Sequence, residues 1–213
     1  LGKRRLVANN SGAHRREEQP TVQLIETQSP HAFTVAEFMS LETATRTELL
    51  AGVVYDVSPR NEPHRYAVRE LSRILIQGLP QERYAVQMQD AVAVPGWDGA
   101  DAPEVDVAVL ARKKYRPGPS SADAVAFIEV SHTTCGVDRG HKIPLYVNAG
   151  VPAWIVNINL RQVEFYGSPI DLELKHGHVF AEGASFEILG VEIAVSDLLD
   201  DASGDGIASE VND

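Results

Sequence analysis

The feature that most constrains this chain is the run Ala124 to Val130, apolar throughout except for Glu129. A strand with apolar side chains at successive positions has no polar face to offer water, so it belongs inside a sheet covered on both sides. The β-prone run Val105 to Leu110 supplies a second strand. Cover comes from Glu62 to Leu79, where Ala67, Val68, Leu71, Ile74 and Leu75 recur at helical spacing while Arg65, Arg69, Glu70 and Arg73 take other positions. A further short helix is predicted over Asp138 to Ala149, stopped by Gly150 and Pro152, with Pro144 in or near its first turn or kinking it.

The remaining elements follow from local signals. Thr34 followed three residues later by Glu37 is a capping box, and Phe33, Val35, Phe38, Met39 and Leu41 supply the apolar contacts of a short helix. Glu48 to Leu50, Ala51-Gly52 and Val53 to Val57 read as a hairpin. Tyr84 to Met88 and Ala91 to Val94 read as β structure, and Pro95 to Pro103 and Lys113 to Ser121 as loops. Ala153 to Ile158 and Gln162 to Tyr166 form another hairpin, and short strands near Leu172 to Leu174 and His178 to Phe180 complete the sheet. The expected fold is α/β, a mixed sheet flanked by helices with an N-terminal hairpin and C-terminal strands. Residues 1–30 are expected to be a mobile arm, 31–199 one domain and 200–213 an acidic disordered tail.

Composition narrows the function. The net charge is −11, and the acidic balance persists between a basic N-terminal stretch and an acidic C-terminal one. Non-specific adhesion to nucleic acid depends on Lys and Arg neutralising phosphates, so this chain is poorly suited to it. No apolar stretch is long enough to span a membrane, and one cysteine, Cys135, cannot form an internal disulfide. A cytoplasmic location and no membrane partner are therefore expected.

Asp106, Glu129 and Lys142 each stand at the end of a core element or just after one. A carboxylate at the edge of a buried strand is costly unless it is paired, hydrogen-bonded or bound to a cation. Lys142 follows Asp138 by four residues, which places both on one helical face. If the two strands are neighbours, their acids converge on one metal, and hard carboxylate oxygens suit Mg²⁺.

Read together, several segments resemble the PD-(D/E)XK nuclease superfamily and, within it, the Uma-type restriction endonuclease family. They are Thr47-Glu48-Leu49-Leu50-Ala51-Gly52, Ser58-Pro59 followed by His64, Val105 to Val109, Phe127 to Ser131, and Asp138 with Lys142, Tyr146 and Ala149 to Pro152. The resemblance implies a metal-dependent DNA endonuclease, acting as a homodimer. It implies Asp106 and Glu129 as ligands of Mg²⁺, or Mn²⁺, with the Val130 carbonyl as an additional one. Ser131 stands where the superfamily motif has Lys, and the resemblance gives that role to Lys142. Val105 replaces the usual Pro before the Asp, while Pro103-Glu104 lies just upstream. Glu104 and Asp106 share a strand face, so Glu104 can share or replace the ligand role. Glu48 is expected to hold a metal-bound water or second cation, and His64 to touch substrate or carry a proton.

The expected mechanism is electrostatic: the metal polarises the scissile phosphate and activates water, and Lys142 orients that water or stabilises developing charge. Each residue also has an ordinary structural reading. Asp106 can cap a turn, Glu129 can pair with an Arg, and Asp138 with Lys142 can be a surface pair. His132, Cys135, Asp138 and His141 match no common zinc spacing, and Cys135 has no orienting group that would make it a nucleophile. Trp97 and Trp154 read as packing residues. The competing functional class is a catalytically inactive member that keeps the fold as a binding or regulatory module.

Overall fold

The structure is a computed structural model that describes residues 32–42, 46–57, 60–96, 99–116, 118–132, 135–169 and 177–200. The expected N-terminal arm, Ser58-Pro59, Trp97, the strand near Leu172 to Leu174 and the acidic tail from Asp201 onward lie outside the described residues.

Six strands form the main sheet: β3 (Tyr84–Ala91), β6 (Glu104–Ala111), β7 (Ala124–Ser131), β8 (Ala153–Asn157), β9 (Gln162–Tyr166) and β10 (His178–Ala181). Their spatial order is β10-β9-β8-β7-β6-β3, and all neighbours are antiparallel except β7 and β8. The parallel pair requires a crossover, which the helical segment between those strands supplies. Side-chain alternation then divides the strands between two cores. Val107, Val109, Ala126, Ile128, Val130 and Val156 pack beneath α2 (Glu62–Gly78). Ala108, Leu110, Phe127, Ala153 and Ile155 pack beneath α4 (Ile143–Asn148). The unbroken apolar run of β7 is thus explained, since both of its faces are dry.

Helix α2 starts where Asn61 accepts a hydrogen bond from the His64 N–H at 3.2 Å. This cap satisfies one of the free N–H groups of the first turn and fixes His64 there. Helix α1 (Val35–Met39) carries the predicted capping box, but it is one turn long and buries Phe38 alone. Met39 and Leu41 remain exposed at 44% and 40%, because so short a helix offers a single inward position. The N-terminal hairpin pairs β1 (Thr47–Leu50) with β2 (Val53–Asp56). Ala51 and Gly52 turn it with φ of 49° and 73°, the positive pair that matches strand twist.

Three local readings are corrected. Pro95 to Pro103 is not a loop throughout: β4 (Val94–Gly96) and β5 (Gly99–Asp101) form a hairpin there, and Gly96 packs so closely on Asp101 that a Cβ would collide with its carboxylate. The Gly-rich composition that suggested a loop is what lets this hairpin close. Strand β3 also continues to Ala91: its register with β6 runs unbroken past Gln89, whose φ is 55°, so that Met88 and Asp90 pair with Val107 and Val105. Finally, β11 (Ser185–Ile188) and β12 (Val191–Ala194) form a hairpin absent from the sequence reading, turned at Leu189 and Gly190. Alternating Phe186, Ile188 and Ile193 bury it in the core beneath α2, and that period-two pattern was the available signal.

Candidate active site

The sheet opens at one end, and the acids gather there. The ladder between β6 and β7 ends at the pair Val107 and Ile128. One residue further out, the Asp106 carboxylate takes the next β7 amide itself, accepting from the Val130 N–H at 3.0 Å. The two strands are thus bridged by a side chain where a carbonyl would otherwise serve, and a buried carboxylate is satisfied by the exchange. Beyond this point lies a cavity of about 560 Å³ bordered by Glu48, Glu104, Asp106, Glu129, Asp138 and Lys142.

Lys142 reaches the cavity from an unusual helical turn. Cys135–Val137 is a single α turn (α3), Asp138–Lys142 is a π-helical turn, and α4 follows with Pro144 in its first turn. Proline lacks the N–H that a continuous α-helix would need, so the widened turn accommodates it. Two contacts fix that turn to the sheet. The Ser131 hydroxyl donates to Asp138, and Arg139 grips Glu164 through Nε at 3.1 Å and Nη2 at 2.6 Å. The predicted shared face of Asp138 and Lys142 is an inner one: both are buried, so they are no surface pair.

The Lys142 ammonium sits 2.9 Å from Glu48, 3.6 Å from Glu129 and donates to the Glu104 carbonyl at 2.9 Å. Three of the predicted residues therefore meet directly. Burial pushes the Lys142 pKa down, but the Glu129, Glu48 and Asp138 carboxylates outweigh it and hold the group above its ordinary value. Glu129 also accepts from the Tyr146 hydroxyl at 2.6 Å.

Asp106 is held by a different set. It accepts from the Arg60 guanidinium at 2.8 Å and lies 3.1 Å from His64 Nε2. Glu104 shares Arg60 with it and is also clasped by Arg46. The two acids consequently differ in charge state. Burial raises the Asp106 pKa, yet His64, Arg60 and the Val130 amide together bring it below the usual range. Burial drives Glu129 well upward, and the Lys142 and Tyr146 contacts do not offset it against the nearby Asp106 and Asp138. Asp106 is thus shifted toward its ionised form and Glu129 toward its protonated form.

Sequence reading missed Arg60 and Arg46. Their partners lie 44 to 58 residues away, and no local period announces such a pairing. Tyr146 belonged to the family text, but its contact with Glu129 is visible only in three dimensions. His132 lines the same cavity, bonded to Asn61 at 2.5 Å. Cys135 is raised by burial and accepts from Asn157 at 3.2 Å, which leaves it a packing thiol. Trp154 is buried in the core.

The cavity's donor chemistry suits a hard cation. Six carboxylates, Asp56 included, border it against two permanent cations, Arg60 and Lys142, and Glu129 is pushed toward its neutral form by burial first and by the Asp106 and Asp138 charges after it. Among the described residues, no group of three or more His, Cys, Asp or Glu is arranged as a ready cation cage, and Arg60 contacts both Glu104 and Asp106. Also among the described residues, no helix is long and apolar enough to cross a membrane.

A six-stranded mixed sheet flanked by helices makes this a restriction-endonuclease-like α/β protein. Residues 35–196 match the family model Uma2, described as a putative restriction endonuclease, and the chain belongs to that family. Among solved structures, it is similar to a putative nuclease belonging to DUF820 from Anabaena variabilis, with a TM-score of 0.60 at 15% identity. That likeness covers 78% of this chain and 97% of the other. A search of curated proteins finds no match.

Proposed function

We propose that this protein is a metal-dependent endonuclease that hydrolyses DNA phosphodiester bonds, with Asp106, Glu129, Lys142 and Glu48 as its working residues. The observation that carries the reading is the contact of Lys142 with both Glu48 and Glu129 in a cavity that Asp106 also borders. Family membership supports the nuclease chemistry. Asp106 and Glu129 would hold Mg²⁺ or Mn²⁺, with Val130, Glu104 and Glu48 at the margin of the donor set. Bound there, the cation supplies Lewis-acid polarisation of a phosphate oxygen and a more acidic water.

The chain's own residues do the rest. Lys142 presents a fixed positive charge where negative charge grows on the phosphate, and its three partners hold it still, so little reorganisation is needed. Glu48 fixes the ammonium, accepts from the Glu104 N–H at 3.3 Å, and would hold a metal-bound water or a second cation. Asp138 contributes through the field that keeps Lys142 charged. His64, buried in the first turn of α2, holds Asp106 in place, a positioning role in preference to proton transfer. Homodimerisation would let two such sites cut both strands.

The test is nicking of supercoiled plasmid by the purified protein with Mg²⁺ or Mn²⁺, beside Asp106→Ala and Lys142→Ala. Metal-dependent nicking lost in both variants is expected; nicking that survives both, or none under any metal, ends the proposal. One observation favours the second reading, an inactive binding module: Arg60 already bridges two of the acids a metal would use. The absence of nicking together with retained DNA binding would support that alternative.

A further inference from the structure

Arg60 bridges two of the acids that border the cavity. It enters from the connection before α2, and its Nη2 contacts both Glu104 and Asp106, successive residues on one face of β6. Its side chain is 10% exposed, and Nη1 is buried without a hydrogen-bond partner among the described residues. Arg46 engages Glu104 differently, through the two nitrogens Nε and Nη2, with Nε at 2.9 Å. A two-nitrogen fork is held more firmly than a guanidinium using one nitrogen for two acids and wasting another. The unspent Nη1 is also a standing penalty, because a buried donor without an acceptor loses its hydration and gains nothing. Arg60 is thus the incompletely bonded member of the pair although it is the more buried, 10% against 42% exposed, and it lines the cavity into which its side chain would withdraw.

We propose that Arg60 is an exchangeable counter-ion: its guanidinium holds Glu104 and Asp106 while no divalent cation is bound, and a divalent cation must displace it to use both carboxylates. The inference rests on the metal reading above and adds a residue that regulates it. Two acids so close repel one another once their shared cation is gone, so an occupant is required in either state. The exchange keeps the cavity compensated and turns Arg60 into a competitor that sets the cation concentration at which the site fills. Glu104 thereby becomes a ligand exposed by the exchange, in the role its strand position suggested.

The experiment is calorimetric titration of Mn²⁺ into the full chain as wild type, Arg60→Gln, Arg60→Lys and Arg46→Gln, with melting temperatures measured in EDTA and in Mn²⁺. Arg60→Gln is expected to bind Mn²⁺ at least ten-fold more tightly than wild type, and to gain more in melting temperature from Mn²⁺. Arg60→Lys, whose point charge cannot span both acids as well, should fall between, and Arg46→Gln should change affinity less than three-fold. If wild type binds Mn²⁺ and Arg60→Gln binds equally or more weakly, the exchange is refuted while the metal reading stands. If no variant binds Mn²⁺, both fall. Should Arg60→Gln fold only with Mn²⁺, that supports exchange; should it fail to fold in either condition, the affinity of Arg60→Lys decides by the same comparison.

Discussion

Replacing Lys142 by alanine is a structural perturbation before it is a catalytic one. The ammonium is 10% exposed and its partners Glu48 and Glu129 are 13% and 2% exposed, so the substitution leaves two nearly dry carboxylates without their shared cation. Breaking a buried pair in this way costs about 3–5 kcal/mol. Here the lower end applies, since Glu129 is already inclined to hold a proton and can neutralise itself. A loss of about 3 kcal/mol in a domain of this size lowers the melting temperature by roughly 6–12 °C. Urea unfolding followed by tryptophan fluorescence reads it, because Trp154 is buried in the core. A double-mutant cycle with Glu48→Gln should return a coupling of about 1 kcal/mol or more, as expected for groups in direct contact. A loss under about 1 kcal/mol with no coupling would refute the buried pair, and with it the argument that Lys142 is pre-positioned. The cleavage assay must therefore be run well below the melting point of Lys142→Ala, or lost activity will only report lost structure.

Three further outcomes follow from the same geometry. Glu129→Gln should raise stability at pH 8 without metal: an acid whose folded pKa is raised loses stability as pH climbs from about 4.5 toward the folded value, and glutamine does not. A variant less stable than wild type by chemical denaturation would contradict this. Glu164 has the opposite sign. Burial raises it, but Arg139, Tyr166 and Gln162 outweigh burial and leave it low, so its contribution is complete above about pH 4.5 and fades as pH falls through the folded value. Glu164→Gln should flatten acid unfolding in that window, measured by circular dichroism from pH 6 to 2; an unchanged acid limb would count against it. Leu71→Ala, at a fully buried position of α2, should cost about 2–5 kcal/mol in urea unfolding. A loss below about 1 kcal/mol would mean that α2 does not seal that face of the sheet.

The parts of the fold legible in the sequence were those written in one local period. The apolar run of β7, the helical stripe of α2 and the Ala51-Gly52 turn each carry their own signal, and each is present. Strands β4 and β5 were hidden because glycine allows a close hairpin as readily as a loop. For the site, the ends of core elements pointed to Asp106, Glu129 and Lys142, the family resemblance added Glu48, and all four border one cavity. The arginines were invisible for a different reason. An arginine in a connection has no periodic signature, and its choice of Glu104 and Asp106 is made by the packing of β6 against residues more than 40 positions earlier.

That division says something about how the site is built. A carboxylate can be placed in a dry sheet end only if each of its charges is answered, and this chain answers them in two separate ways. Asp106 is answered by His64, Arg60 and the Val130 amide, which outweigh its burial and favour the ionised form. Glu129 is answered incompletely, by one lysine shared with Glu48 and one tyrosine hydroxyl, and burial shifts it toward its protonated form against those contacts. A cation arriving between them would therefore release a proton from Glu129 and compete with Arg60 at Asp106. Cation affinity should accordingly rise with pH, and the rise should vanish in Glu129→Gln and persist in Arg60→Gln. Calorimetric titration of Mn²⁺ at pH 6, 7 and 8 in buffers of different ionisation heat separates the two contributions. A pH dependence that survives Glu129→Gln would place the released proton elsewhere and remove Glu129 from the donor set.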